Sequence, residues 1–247
     1  MKIIFWDYDG IIVNTEPFYK KSIEEYFKEK NLLLKDISEE YFFEHISGKH
    51  PEDFVLKLKI DGFIKNNIDV NCQDVKTYYS NYFKNLKKGE IKVIENIDNI
   101  IEKLSKLDNL IMCITSSSFI HDFEIKNRNI DNEILNKNFA INKNIYLCGS
   151  IINCKFKPFP DIFNYALNDI IKKHKLNLTE KDELFIIEDS VAGCCAGLAF
   201  KKNINKLQIK IIGVNINPYI NAKNLIESGA DIVLNNADDI YSIIMQY

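Results

Sequence analysis

Arginine is nearly missing from this sequence, and glycine is scarce. Arg128 is the one arginine, and nine glycines stand among 247 residues, well below the usual share of about 7%. A phosphate group in a site must therefore be held by lysine, hydroxyl groups, backbone N–H groups or a metal, because arginine forks are lacking. The net charge is only −3, which gives no overall field for a nucleic acid or an anionic membrane. We expect neither as a partner.

Disulfide motifs, a signal segment and long apolar runs are also missing. The six cysteines form no C-x-x-C pair, which predicts reduced core thiols rather than disulfides or metal ligands. The opening apolar run at residues 3–6 is too short for the ~7–15 residue centre of a signal peptide. No apolar stretch reaches the ~18 residues that a membrane span needs. These absences predict a cytoplasmic protein.

What is present is the composition of an ordinary globular protein, with 46% apolar and 27% charged residues. Helix-like stretches at 97–107 and 161–174 lie between short apolar runs that resemble strands buried on both faces. Alternation of strand and helix predicts an α/β fold with a doubly wound, Rossmann-like parallel sheet. The predicted strands are residues 2–6, 111–114, 184–187, 209–214 and 232–234.

One interval departs from this alternation. Between about residues 15 and 88 there is no convincing strand, and apolar and aromatic residues recur at helical spacing. We therefore predict an all-helical cap, residues 16–87, inserted into a core made of residues 1–15 and 88–247. Residues 87–92 form a candidate hinge. The predicted cap helices are residues 18–30, 38–46, 51–59 and 73–86.

Acidic and hydroxyl groups follow three of the predicted strands. In open α/β sheets, ligands bind beyond the carboxyl ends of the strands, so these groups are expected to meet. Several carboxylates in one place repel each other unless a hard cation lies among them, and Mg²⁺ prefers carboxylate oxygens. We therefore predict a Mg²⁺ site. The segments are DYDG at 7–10, TSSS at 115–118 and EDS at 188–190.

Lys157 is the candidate cation for a phosphate in this acidic site. Pro158 and Pro160 stiffen the turn that precedes the helix beginning near Asp161, so the lysine is held in place. Taken alone, Lys157 would more often be a surface charge, and Asp7 could be a loop acid or a helix cap. Three such clusters at three predicted strand ends make coincidence a weak explanation.

Taken together, these segments resemble the motif set of the haloacid dehalogenase superfamily. The resemblance is closest to the branch that holds β-phosphoglucomutase and the small sugar-phosphate and phosphoglycolate phosphatases. It implies a Rossmann-like core, an inserted helical cap, Mg²⁺ and an aspartyl-phosphate intermediate. It extends from residue 1 to about residue 235, and its motifs are DYDG at 7–10 with NTEP at 14–17, TSS at 115–117, KPFPDIF at 157–163 and EDSVAG at 188–193.

The resemblance also implies roles for the first two acids. Asp7 would be the nucleophile and a metal ligand, with a lowered pKa that keeps it ionised. Asp9 would be the general acid and base, with its backbone carbonyl also facing the metal. Because an acid at this position protonates an alkoxide leaving group, Asp9 favours phosphate esters over the superfamily's dehalogenation and phosphonate-cleaving reactions.

The remaining roles follow in the same way. Thr115 and Ser116 would hold the transferring phosphoryl group. Lys157 would neutralise both the nucleophile and the phosphate. Asp189 would complete the metal shell, and Glu188 would either join or support it.

Three functions remain open for this scaffold. The first is hydrolysis of a small phosphorylated metabolite, a sugar phosphate, phosphoglycolate or nucleotide, with Gly48, Lys49 and His50 of the cap near its leaving group. The second is a β-phosphoglucomutase-like transfer, which is disfavoured because Pro51 stands where the mutases have a cap arginine and Tyr19 where they have a histidine. The third is a non-catalytic binding protein. Neither the physiological ester nor the oligomeric state follows from the sequence.

We predict that no mutase cycle runs. A mutase must grip the far phosphate of its substrate, and the cap segment holds no arginine for this purpose. ³¹P NMR of β-glucose 1-phosphate with glucose 1,6-bisphosphate should therefore show free phosphate. Stoichiometric conversion to glucose 6-phosphate without phosphate release would establish the mutase instead.

Overall fold

The structure is a computed structural model that describes residues 1–49, 51–130, 132–138, 144–216, 219 and 221–247. The strands in this part of the chain are β1 Lys2–Trp6, β2 Val13–Asn14, β3 Lys92–Val93, β4 Leu110–Ser116, β5 Ile145–Leu147, β6 Glu183–Glu188, β7 Gln208–Val214 and β8 Ile232–Leu234. The helices are α1 Glu16–Glu29, α2 Glu39–His45, α3 Pro51–Ile60, α4 Cys72–Asn85, α5 Ile97–Ser105, α6 Ile120–Arg128, α7 Glu133–Asn138, α8 Asp161–His174, α9 Val191–Asn203, α10 Ala222–Glu227 and α11 Asp239–Gln246.

Six parallel strands form the central sheet, in the order β5-β4-β1-β6-β7-β8. Strand β1 lies in the middle, with Lys2 opposite Leu110 of β4 and Glu183 of β6. All five strands predicted from the sequence are present. The prediction missed β5, which has only three residues and is too short for an apolar pattern to distinguish it from a loop.

Helices cover both faces of this sheet. Along β1, Ile3 and Phe5 face one apolar layer while Ile4 and Trp6 face the other, as the period of two requires. Helices α8 and α9 pack on the first layer, and α5 and α11 pack on the second. Burying one such side chain stabilises the fold by about 1.5–3 kcal/mol. The predicted α/β doubly wound core is confirmed.

Helices α1 to α4 lie between β2 and β3 and enclose an apolar cluster of their own. Their bounds agree with the four predicted helices to within two residues. Strands β2 and β3 pair antiparallel, with Val13 opposite Val93 and Asn14 opposite Lys92, so the two ends of the helical insert leave the core side by side. The exact domain boundaries at residues 16 and 87 stay a prediction.

Two smaller expectations concern the cysteines and the membrane. All six cysteines are free thiols, but only Cys113, Cys148 and Cys194 are buried, so half of them are core residues and half are partly exposed. Across the described ranges, every helix is too short or too polar to cross a lipid bilayer.

Candidate active site

The turn after β1 places Asp7 and Asp9 at the edge of the sheet. The N–H of Asp7 donates to the carbonyl of Ile187 at 3.0 Å, which extends the β1–β6 ladder by one residue. The chain then turns sharply at Gly10, where φ is +84°. A Cβ atom at Gly10 would lie 1.9 Å from Asp189 Oδ2. Only glycine satisfies both conditions, so this turn brings the ends of β1 and β6 into contact.

Lys157 lies at the centre of the predicted motifs. Its side chain is only 6% exposed, and its Nζ lies 2.7 Å from Asp7 Oδ1, 2.5 Å from Glu188 Oε1 and 2.9 Å from the carbonyl oxygen of Thr115. The peptide bond from Lys157 to Pro158 is cis. Burial alone would lower the pKa of Lys157, but the two carboxylates outweigh it and raise that pKa above its ordinary value. The lysine is therefore a fixed positive charge.

Three carboxylates surround this charge. Ligand oxygens of Asp7, Glu188 and Asp189 all lie within 4.8 Å of one another. Burial raises the pKa of each carboxyl group, that of Glu188 to about 8. Repulsion by Asp7 adds to the effect at Glu188 and Asp189, and repulsion by Asp9 adds to it at Asp7. Among the protein groups alone, burial outweighs the neighbouring ammonium of Lys157 and raises the pKa of Asp7. The lowered pKa expected from the sequence concerns Asp7 beside a bound Mg²⁺ and stays a prediction.

This carboxylate group fits a divalent cation. One lysine opposes three acids, so further positive charge would offset both the burial and the repulsion. Mg²⁺ prefers carboxylate oxygens. The backbone leaves no room beside Glu188, because a Cβ atom at Gly193 would lie 1.8 Å from Glu188 Oε2. The carboxylate is thereby held toward Asp7 and Lys157.

The hydroxyl groups after β4 differ from the expected arrangement in one respect. Thr115 is still a strand residue, its side chain is fully buried, and its Oγ1 donates to the carbonyl of Trp6 at 3.4 Å. It does not line the cavity beside Asp7, whereas Ser116, Ser117 and Ser118 do. The assignment of Thr115 as a phosphate-holding side chain is therefore corrected. Its contribution is the carbonyl that Lys157 contacts.

Asp9 lies beside a lysine that sequence reasoning missed. Lys126 of α6 is 1% exposed, and its Nζ lies 2.5 Å from Asp9 Oδ2. Burial alone would lower the pKa of Lys126, but the charge of Asp9 outweighs it and raises that pKa. No motif marks this lysine. Only the structure shows that it lies on the buried side of α6, beside Ile125.

A cavity of about 730 Å³ lies between these residues and the inserted helices. On the side of the central sheet, the cavity is lined by Asp7, Asp9, Ser116, Lys157 and Asp189. From the insert, its polar lining includes Glu16, Ser47, Gly48, Lys49, Gln73, Lys76, Thr77, Ser80, Asn81 and Lys84, and its apolar lining includes Tyr19, Ile23, Phe42, Ile46, Pro51, Phe54 and Tyr79.

The predicted cap residues lie on this cavity where the structure describes them. Gly48 has φ of +70°, and Lys49 Nζ donates to the carbonyl of Glu44 at 3.0 Å. His50 lies outside the described residues. Glu16 also lines the cavity and was not among the predicted site residues. It is buried, accepts a hydrogen bond from Ser47 Oγ at 2.9 Å, and has a pKa raised to about 7 mainly by burial.

Comparison with known proteins identifies the kind of enzyme. Residues 3–206 match the family model of the haloacid dehalogenase-like hydrolases. A Saccharomyces cerevisiae protein named "Probable pseudouridine-5'-phosphatase" is 22% identical over 213 residues, which are 83% of this chain and 81% of that protein. This chain is therefore a hydrolase on a Rossmann-like fold. It belongs to the haloacid dehalogenase-like hydrolase family, as the motifs indicated.

Solved structures show the same fold. A conserved haloacid dehalogenase-like protein of unknown function from Agrobacterium tumefaciens superposes with a TM-score of 0.73 at 20% identity, covering 99% of this chain and 97% of that one. CbbY from Rhodobacter sphaeroides, solved with phosphate, gives 0.68 at 16% identity and covers 96% and 95%. Two other solved structures with this fold carry the name "putative beta-phosphoglucomutase". The fold alone does not choose between these activities.

We predict that Gly193→Ala disrupts the site while Gly197→Ala does not. Both glycines lie in α9, but a Cβ at Gly193 meets the Glu188 carboxylate, whereas one at Gly197 lies 3.2 Å from the rotatable Cδ1 of Ile211. Displacing Glu188 by about 1 Å should cost about 10²-fold in turnover of p-nitrophenyl phosphate. Gly197→Ala should stay within about threefold. Thermal unfolding checks that both variants fold, and equal losses in the two would contradict this assignment.

Proposed function

We propose that this protein is a Mg²⁺-dependent hydrolase of small phosphate monoesters that works through an aspartyl phosphate on Asp7. The observation that carries the proposal is the position of Asp7. It lines a cavity of metabolite size, touches the buried ammonium of Lys157 at 2.7 Å, and stands within 4.8 Å of two further carboxylates. A carboxylate so placed can attack phosphorus while fixed charges stabilise the oxygens of the phosphoryl group.

The metal would be held by residues at two strand ends. The carboxylates of Asp7 and Asp189 and the backbone carbonyl of Asp9 are the proposed ligands, and Glu188 ligates or supports them. When bound, Mg²⁺ would neutralise negative charge on the phosphoryl oxygens and on these acids. Lys157 adds a second positive charge from the protein itself.

The reaction divides into two steps. In the first, an oxygen of Asp7 attacks phosphorus, the bond from phosphorus to the ester oxygen breaks, and the leaving oxygen takes a proton from Asp9. In the second, water attacks the phosphorus of the aspartyl phosphate, Asp9 accepts the water's proton, and Asp7 is released with inorganic phosphate. Ser116, which lines the cavity next to these acids, would donate to the transferring group.

The cavity favours a leaving group larger than glycolate. Its volume of about 730 Å³ lies in the range of about 300–1,000 Å³ that is typical of small-molecule sites. Its wall from the insert combines rings such as Tyr79 and Phe54 with amide groups of Gln73 and Asn81. Rings and amides together suit a nucleoside. The yeast relative's name, "Probable pseudouridine-5'-phosphatase", supports a pyrimidine nucleoside 5'-phosphate as the first candidate substrate.

A substrate panel tests this proposal. Phosphate release should be measured with Mg²⁺ for pseudouridine 5'-phosphate, uridine 5'-phosphate, ribose 5-phosphate, glucose 6-phosphate and phosphoglycolate. The proposal expects kcat/KM to be highest for a nucleoside 5'-phosphate. Absence of phosphate release from every ester, p-nitrophenyl phosphate included, would instead support a non-catalytic binding protein.

We predict that Asp7→Asn lowers turnover at least about 10³-fold, because an amide oxygen cannot replace the attacking carboxylate. Phosphate release from p-nitrophenyl phosphate is the measurement. Asp69→Asn, an exposed aspartate in the insert that does not line the cavity, is the matched control and should keep normal activity. Near-normal turnover by Asp7→Asn would rule out the aspartyl phosphate.

We predict that chelation abolishes activity and that Mg²⁺ restores it. Ca²⁺ should inhibit, since it takes more oxygen ligands at longer distances than the octahedral shell of Mg²⁺. Asp189→Asn should raise the Mg²⁺ concentration for half-maximal activity by at least about tenfold. It should also reduce the rise in Tm that Mg²⁺ gives the wild type. Full activity after exhaustive chelation would contradict the proposed metal dependence.

A further inference from the structure

Lys126 is a buried cation for which the proposed reaction has so far given no role. Its side chain is 1% exposed, and buried lysines are rare unless they are paired. Its ammonium group has three oxygen partners: Asp9 Oδ2 at 2.5 Å, Ser118 Oγ at 3.0 Å and the Tyr19 hydroxyl at 3.4 Å. An ammonium group has three donors. Each of them therefore has a partner, and the lysine is locked in one geometry.

Asp9 is held from both of its carboxylate oxygens. Thr15 Oγ1 donates to Oδ1 at 2.7 Å, while Ser118 Oγ and Lys126 Nζ donate to Oδ2 at 3.1 Å and 2.5 Å. Thr15 itself is fully buried. Contacts at both oxygens leave the carboxylate no freedom to rotate about its Cβ–Cγ bond. The plane of the Asp9 carboxylate is therefore set by three side chains around it.

Thr15, Ser118 and Lys126 each donate a hydrogen bond to Asp9. Hydroxyl groups could also accept, but an ammonium group only donates, so the side facing Lys126 cannot take a proton from Asp9. A carboxylate that receives three hydrogen bonds is arranged as an acceptor. This arrangement suits Asp9 to accept a proton, which is its role in the second step of the proposed reaction.

Aromatic rings shield the ammonium group of Lys126 from solvent, while the Asp9 side chain is 20% exposed at the cavity. The rings of Tyr8 and Tyr19 lie with their centroids 5.8 Å and 5.7 Å from Lys126 Nζ, close enough for a cation–π contribution. Tyr19 belongs to the first helix of the insert, and Tyr8 lies between Asp7 and Asp9. Water therefore has little access to the ammonium group. At the Lys126 end of the pair, this burial strengthens the attraction to Asp9.

We propose that Lys126 is the positioning residue that holds Asp9 as the base for hydrolysis of the aspartyl phosphate. In that step a water oxygen forms a bond to phosphorus, and the bond from phosphorus to the Asp7 oxygen breaks. The water's proton passes to the carboxylate of Asp9. Lys126 touches neither phosphorus nor water and acts through Asp9. The inference rests on the proposed function, because it requires the phosphorylated Asp7.

The test separates the two steps with p-nitrophenyl phosphate. Its leaving group departs without help from an acid, so release of p-nitrophenol reports phosphorylation of Asp7 and does not depend on Asp9. Lys126→Met keeps the length of the side chain and removes its charge. We expect kcat to fall about 10²-fold, the order of a lost general base, while kcat/KM stays within about threefold. Rapid mixing should show a burst of close to one p-nitrophenol per active site.

A second readout is independent of turnover. Protein quenched with acid during steady state should retain phosphate on Asp7 in Lys126→Met, detected by mass spectrometry, and far less of it in the wild type. Lys126→Arg restores the positive charge and should recover kcat at least in part and remove the burst. Glu124→Gln, an exposed residue on the same helix, is the matched control and should behave as the wild type.

Each outcome has a defined meaning. Equal losses in kcat and kcat/KM without a burst, or unchanged kinetics, would overturn the role given to Lys126 while leaving the phosphatase intact. A wild type without any turnover would instead overturn the proposed function itself. If Lys126→Met does not fold, Ser118→Ala serves as the test variant, because it removes a hydrogen-bond donor from the same Asp9 oxygen. A smaller drop in kcat with a burst supports the inference, and parallel losses refute it.

Discussion

One ammonium group joins the ends of three neighbouring strands. Lys157 Nζ touches Asp7 after β1, Glu188 at the end of β6 and the carbonyl of Thr115 within β4. Without it, the acids at these strand ends would face each other unscreened. Removing one partner from a buried ion pair typically costs about 3–5 kcal/mol. The carboxyl edge of the sheet therefore depends on Lys157 for its integrity before any substrate or metal is considered.

The two acids of the first motif are distinguished by separate cations. The carboxylate of Asp7 forms an ion pair with Lys157, whereas that of Asp9, two residues later, forms one with Lys126. The lysines come from different elements, one from the loop before α8 and the other from α6. Two carboxylates so close in sequence would otherwise have similar surroundings. Their different partners give a physical basis for dividing the proposed reaction into a nucleophile and a proton carrier.

Most of the fold and a large part of the candidate site could be predicted from the sequence. Strands buried on both faces have a clear apolar signature, and acids that directly follow them are drawn to the same edge of the sheet, as Asp7 and Asp189 are. The error at Thr115 arose because β4 continues to Ser116, so alternation turns the threonine away from the cavity. Lys126 escaped notice because a lysine within a helix is normally solvated. Only tertiary packing buries it, and no local pattern reports packing between distant segments.

The short ribbon of β2 and β3 has a consequence for how the chain folds. Strands β1 and β4 pair side by side although more than a hundred residues separate them in sequence. Once the ribbon has formed, the helical insert is closed off as a loop of its own, and only a short path of chain still joins the two strands. Shortening that path about fourfold lowers the entropy cost of closing it by about 1 kcal/mol. Early formation of the ribbon would therefore favour the central pairing of the sheet and reduce its effective contact order.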